Sequence, residues 1–93
     1  MSVAGSTSMT DIEYSKQAVS HLENLEPHIA ERVMDKLDEA TEWTSHHLDT
    51  LKNSEYYKLR IGDYRAIIDW DKENDTLLVI AVGHRKTVYD RYL

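Results

Sequence analysis

The sequence predicts a single α+β domain, with two helices packed together on one face of a sheet, and three observations predict it. Apolar residues recur at helical spacing from Ala18 to Thr44. They recur at a spacing of two after Leu51, and a short period-two stretch at Thr10–Tyr14 precedes the helices. The order strand, two helices, three strands and tail places the helices on one side of an antiparallel sheet. At 93 residues the chain can build one core and not two.

Residues 1–9 are small and polar, with Gly5, Ser6, Thr7 and Ser8 offering nothing to bury, so a flexible tail is expected ahead of a domain spanning residues 10–93. Thr10 to Tyr14 alternates Ile12 and Tyr14 with Asp11 and Glu13, which predicts a short first strand. Ser15 is placed to cap the helix that follows, where Ala18, Leu22 and Leu25 share a face. Pro27 ends that helix and suits the first turn of the next. Ile29, Val33, Leu37, Ala40 and Thr44 then form a stripe widened by Met34 and Trp43, predicting a second helix that runs to about Leu48. The two make a helical hairpin, and the charges between their apolar positions read as a solvated face.

Beyond Leu51, Tyr57, Leu59 and Ile61 alternate with Lys58, Arg60 and Gly62. Tyr64 to Trp70 reads as a longer strand, and Thr76 to Val82 is apolar on both sides, hence central. Gly62-Asp63 and the segment Asp71 to Asp75 supply the turns. The result is a three-stranded antiparallel meander, closed by a short C-terminal helix from about Lys86 to Leu93.

Composition narrows the function. The absence of cysteine excludes a disulfide framework and a thiolate metal site. No apolar run approaches the roughly 20 residues needed to span a bilayer, and Met1 to Thr10 has no signal-peptide pattern, so no membrane contact and a cytoplasmic location are expected. A net charge of −6 argues against a nonspecific nucleic-acid binder. The distribution is uneven, however. Residues 1–55 hold 11 acids against 4 bases, whereas residues 56–93 hold 6 acids against 7 bases.

Five of those bases, Lys58, Arg60, Arg65, Arg85 and Lys86, bracket two short segments. In an antiparallel meander Lys58, Arg60, Arg65, His84, Arg85 and Tyr89 can converge, because neighbouring strands lie only about 5 Å apart. If Leu59 and Ile61 face the core, Lys58 and Arg60 face away, and the helix-free side carries a basic concavity suited to phosphate. From pattern alone such residues are more often solvated cations, or surface pairs worth about 0 to 1 kcal/mol each, with Tyr89 as a packing aromatic. His46, His47 and Asp49 match no standard zinc spacing, and there is no glycine-rich phosphate loop or nucleophile elbow. No metal or other cofactor is expected.

Two strings sharpen the reading: Tyr57-Lys58-Leu59-Arg60-Ile61-Gly62-Asp63-Tyr64-Arg65, and Val79-Ile80-Ala81-Val82-Gly83-His84-Arg85 followed by Val88-Tyr89. Together and at this spacing they resemble the RelE branch of the RelE/ParE superfamily of toxins, a resemblance that covers Tyr57 to Leu93. It implies a toxin of a type II toxin–antitoxin system that cleaves mRNA on the ribosome, without metal, by attack of a ribose 2′-hydroxyl on the adjacent phosphate. It assigns Arg65 and Arg85 to the charge building on the phosphate, Lys58 to the base or an electrostatic partner, and Tyr89 to base stacking or proton transfer. Arg60, His84 and Lys86 would contact the RNA. Some active members carry a second lysine where this chain has Tyr56, which leaves the general base between Lys58 and His84. The resemblance also implies a cognate RelB-like antitoxin and binding of operator DNA by the complex through that antitoxin. The alternatives are a ParE-like gyrase inhibitor, which would not need the Arg65, Arg85 and Tyr89 set, and a catalytically inactive toxin-like binding module.

Overall fold

The computed structural model describes residues 10–52 and 54–88. The tail expected at residues 1–9, the position of Tyr89 and most of the expected C-terminal helix lie outside the described residues.

The chain enters as β1 (Asp11–Tyr14) and passes at Ser15 into α1 (Lys16–Glu23). Ser15 makes the corner by itself. Its Oγ accepts the Ala18 N–H at 3.0 Å, an N-cap bond, and donates to the Ile80 carbonyl at 2.9 Å, which ties the helix start to the sheet. α2 (Pro27–Glu42) begins on Pro27, where the missing N–H would have had no helical partner. It buries Val33, Leu37, Ala40 and Thr41.

The second helix does not continue to Leu48. Trp43 leaves helical geometry at φ −147° and ψ 69°, and a one-turn helix, α3 (Thr44–His47), follows. Threonine chemistry explains the break. Thr41 Oγ1 donates to the Asp38 carbonyl at 2.6 Å, Thr44 Oγ1 to the Ala40 carbonyl at 2.8 Å, and the Thr10 N–H to the Thr41 carbonyl at 3.0 Å. The carbonyls of Ala40 and Thr41, which a longer helix would have bonded, are therefore satisfied without it.

Five strands form one sheet in the order β1-β5-β4-β3-β2, with β2 (Asp49–Thr50), β3 (Tyr57–Ile61), β4 (Tyr64–Asp71) and β5 (Thr76–His84). The meander β3-β4-β5 is antiparallel as predicted. β1 lies parallel to β5 at one edge, and the two-residue β2, too short to show a period in sequence, extends the other edge beyond β3. The main core packs Val33, Leu37 and Ala40 of α2 onto Leu59, Ile61, Ala66, Ile68, Leu77, Val79 and Val82 of the sheet. A smaller cluster, Leu51, Ile67, Ala81 and Val88, covers part of the opposite face.

One irregularity decides where later residues point. Ile68 pairs with Val79 but Ile67 pairs with Ala81, so Ile80 is the extra residue of a β-bulge. Strand side chains alternate between faces, and a one-residue slip exchanges the faces of all that follow. Leu77 and Val79 face the helices before the bulge, and Val82 does so after it, while Ala81 has moved to the opposite side.

Candidate active site

The polar ends of β3, β4 and β5 meet at one end of the sheet. In β3, Leu59 and Ile61 are buried under the helices, so alternation turns Lys58 and Arg60 to the other face. Arg65 stands beside Arg60 on one side and Gly83 on the other. Glycine at 83 lets Val88 pack close over β5, where a Cβ would meet the Val88 Cβ at 3.3 Å. Past the bulge, Gly83 takes the face of Lys58 and Arg65, and the chain then turns through Arg85 and Lys86.

The outcome is a recess of about 450 Å³ lined by Lys58, Arg65, Arg85 and Lys86. Its two guanidinium groups are tied to one turn, Gly62-Asp63. Arg65 Nη1 donates to the Gly62 carbonyl at 2.7 Å and the Tyr64 carbonyl at 2.8 Å. The Arg85 N–H donates to the Asp63 carbonyl at 2.8 Å, and Arg85 Nε lies 3.6 Å from Asp63 Oδ1. Asp63 reads in sequence only as a turn former; its carboxylate's reach to Arg85 depends on tertiary pairing that no local pattern reveals.

Four of the residues expected at the site therefore gather: Lys58, Arg65 and Arg85 of the catalytic set, and Lys86 of the RNA-contacting set. Arg60 is exposed on the same face but does not line the recess. His84 is carried to the helix side by the bulge: its ring meets Tyr64 edge-on at 5.5 Å, and its Nδ1 accepts the Lys86 N–H at 3.1 Å. In the described structure it holds the turn that presents Lys86. Tyr89 lies outside the described residues.

A larger hollow of about 540 Å³ lies between α1 and the end of β5, lined in part by Gln17, His21 and Thr87. The Nδ1 of His21 accepts the Val82 N–H there at 3.1 Å, so this imidazole closes the strand edge beyond β1. Its mixed lining lacks the clustered cations that would attract an anion, and the smaller recess has them. Among the described residues no three His, Asp or Glu side chains gather to hold a metal ion, and no helix is long and apolar enough to cross a membrane.

Comparison with known proteins places this geometry. The family model described as the ParE toxin of the type II toxin–antitoxin system, parDE, matches residues 12–89. None of the curated proteins compared with the chain matches it in sequence. Among solved structures, the RelBE2 toxin–antitoxin complex from Mycobacterium tuberculosis superposes with a TM-score of 0.77 at 21% identity, over 83% of this chain and 99% of that one. The RelB-RelE complex from Methanococcus jannaschii gives 0.65 at 28% identity over 83% and 94%, and the isolated Escherichia coli RelE toxin gives 0.69 at 19% over 90% and 99%. At such distances the structures speak to a shared fold, and the family match carries the kinship. The strand-first α+β architecture and the match over residues 12–89 agree, and the chain belongs to the ParE toxin family of type II toxin–antitoxin systems, within the RelE/ParE superfamily.

Proposed function

We propose that this toxin is a metal-independent endoribonuclease that cuts mRNA on the ribosome. The observation that carries the reading is the recess of Lys58, Arg65, Arg85 and Lys86, four cations gathered at one end of a chain whose net charge is −6. Such a cluster in an acidic protein suits a polyanion met at a defined point. One of the cations, the Arg65 guanidinium, is bonded to main-chain carbonyls at the turn, and Arg85 is fixed there through its main-chain N–H with its guanidinium paired to the Asp63 carboxylate, which fits the preorganisation that charge stabilisation requires.

In this mechanism a base takes the proton of a ribose 2′-hydroxyl, whose oxygen attacks the adjacent phosphorus. The bond from phosphorus to the 5′-oxygen of the next nucleotide breaks, and that oxygen leaves with a proton from an acid. The products are a 2′,3′-cyclic phosphate and a free 5′-hydroxyl. Arg65 and Arg85 stabilise the charge on the phosphate as it changes. Lys58 lines the recess and serves as base or electrostatic partner; His84, turned to the helix side, supports the turn that carries Lys86 and is less well placed for that task. Lys86 and Arg60 contact the RNA backbone, and Tyr89 stacks on a base or transfers a proton. A RelB-like antitoxin neutralises the toxin, a reading supported by the RelB-RelE complexes that share its fold, and the pair binds operator DNA through the antitoxin.

Primer extension on a defined mRNA in translating ribosomes tests the proposal. Wild-type protein should make codon-phased cuts, and Arg65→Ala or Arg85→Ala should lower the cutting rate by about 100-fold or more, since a single such donor commonly contributes about 3 to 4 kcal/mol. Equal cutting by either variant removes these residues from the mechanism. The parDE description of the matching family favours a second reading, inhibition of gyrase through protein contact. A folded wild type that leaves mRNA whole but blocks DNA supercoiling would decide for it.

A further inference from the structure

Both arginines of the recess hang from the Gly62-Asp63 turn, but in different ways. Arg65 is held by main-chain carbonyls, which substitution of a side chain barely alters. For Arg85 the main-chain bond to the Asp63 carbonyl fixes where the residue begins, and among the described residues the Asp63 carboxylate is what reaches its guanidinium, at 3.6 Å. The contact is at Nε, the neck of the fork. An ion pair at that point leaves both terminal nitrogens, among the described residues, available to take a phosphate in a planar, bidentate manner.

That carboxylate is otherwise out of place. An anion beside a phosphate-binding recess repels the substrate, so affinity alone would be better served by its absence. Stability does not account for it either. The two side chains are 52% and 71% exposed, and pairs of that kind contribute little. What remains is orientation, which acts on the reacting geometry rather than on binding.

We infer that Asp63 is a positioning residue, which aims the guanidinium of Arg85 at the scissile phosphate by holding its Nε. The inference rests on the nuclease reading above. Its test is single-turnover mRNA cleavage on programmed ribosomes by the full chain as wild type, Asp63→Asn and Asp63→Glu, together with the NMR signal of the Arg85 Nε–H in the free proteins. Asp63→Asn should cut about tenfold more slowly at saturation, because small misplacements of a reacting group are costly, while the half-saturating concentration stays the same or falls. Asp63→Glu should recover most of the rate. The Nε–H signal should be distinct in wild type and Asp63→Glu and collapse toward that of a freely rotating arginine in Asp63→Asn. An Asp63→Asn protein that cuts at the wild-type rate, one that only changes its half-saturating concentration, or one that fails to fold would each overturn the inference. A wild type that leaves mRNA whole is a different result, because it removes the nuclease reading on which the inference stands.

Discussion

Gly62 stands at φ +56°, in the left-handed region, and a Cβ built there would sit 3.3 Å from Arg32 Nη2. The backbone conformation is what sends the Gly62 carbonyl to Arg65 and the Asp63 carbonyl to Arg85. An L side chain pays about 1 to 2 kcal/mol to adopt it. The contact with Arg32 adds little, since the far end of an exposed side chain can move. Gly62→Ala is therefore expected to lower the free energy of unfolding by about 1 to 2 kcal/mol, read as a lower urea midpoint at unchanged slope. A midpoint equal to wild type would mean that the turn relaxes to a conformation alanine accepts, and the arginine anchors with it. At this scale the site was largely legible. Lys58, Arg65, Arg85 and Lys86 could be named because strand alternation and a recognisable string place them. Asp63 could not, because a turn aspartate looks the same in sequence whether or not an arginine 22 positions on reaches it.

Among the elements, the junction of β1 and α1 depends on one side chain. The hydroxyl of Ser15 caps α1 through the Ala18 N–H and bonds the Ile80 carbonyl, at the bulge where β5 loses its regular partner. Ser15→Ala removes both bonds and leaves a part-buried carbonyl short of a donor, so it should cost about 1 to 2 kcal/mol, whereas Ser15→Thr should keep most of that stability. Thermal unfolding of the two variants decides this: equal midpoints would show that water replaces the hydroxyl at both ends. The element scale is also where sequence reading met its limits. The serine cap, Pro27 and the three meander strands announce themselves through local chemistry and period. The helix break at Trp43 does not, because Thr44 still falls on the buried stripe, its bond to the Ala40 carbonyl is one any helical threonine can make, and the Thr10 contacts that accompany the break are tertiary. Neither does the bulge at Ile80, since Leu77 through Val82 is apolar throughout and offers no alternation to count. That hidden slip is why His84, a reasonable partner for the cations by simple alternation, lies against Tyr64 instead.

Over the whole molecule, charge is divided between an acidic body of helices and a cationic end of the sheet, and Tyr14 sits where the acidic body presses on the fold. It is half-buried in β1, packed against the main core, and its phenol is held above the ordinary value of 10.0 first by burial and then by the carboxylate of Asp38 on α2. A phenol whose folded value is raised favours folding fully below its unfolded value, and that contribution is lost as pH climbs through the folded value, because the unfolded chain gives up the proton first. The toxin should accordingly lose stability above about pH 10 more steeply than its exposed tyrosines and lysines would require. Tyr14→Phe keeps the ring and removes the ionisation, so the variant should hold its thermal midpoint better above about pH 10, the two proteins keeping a constant difference near neutrality. Asp38→Asn should make the wild-type decline shallower with its onset unchanged, and by less than Tyr14→Phe does, since Asp38 is the lesser cause. Curves for wild type and Tyr14→Phe that stay parallel through this range would show that the alkaline limit is set by repulsion across the acidic surface as a whole rather than by the one phenol that the fold has drawn against it.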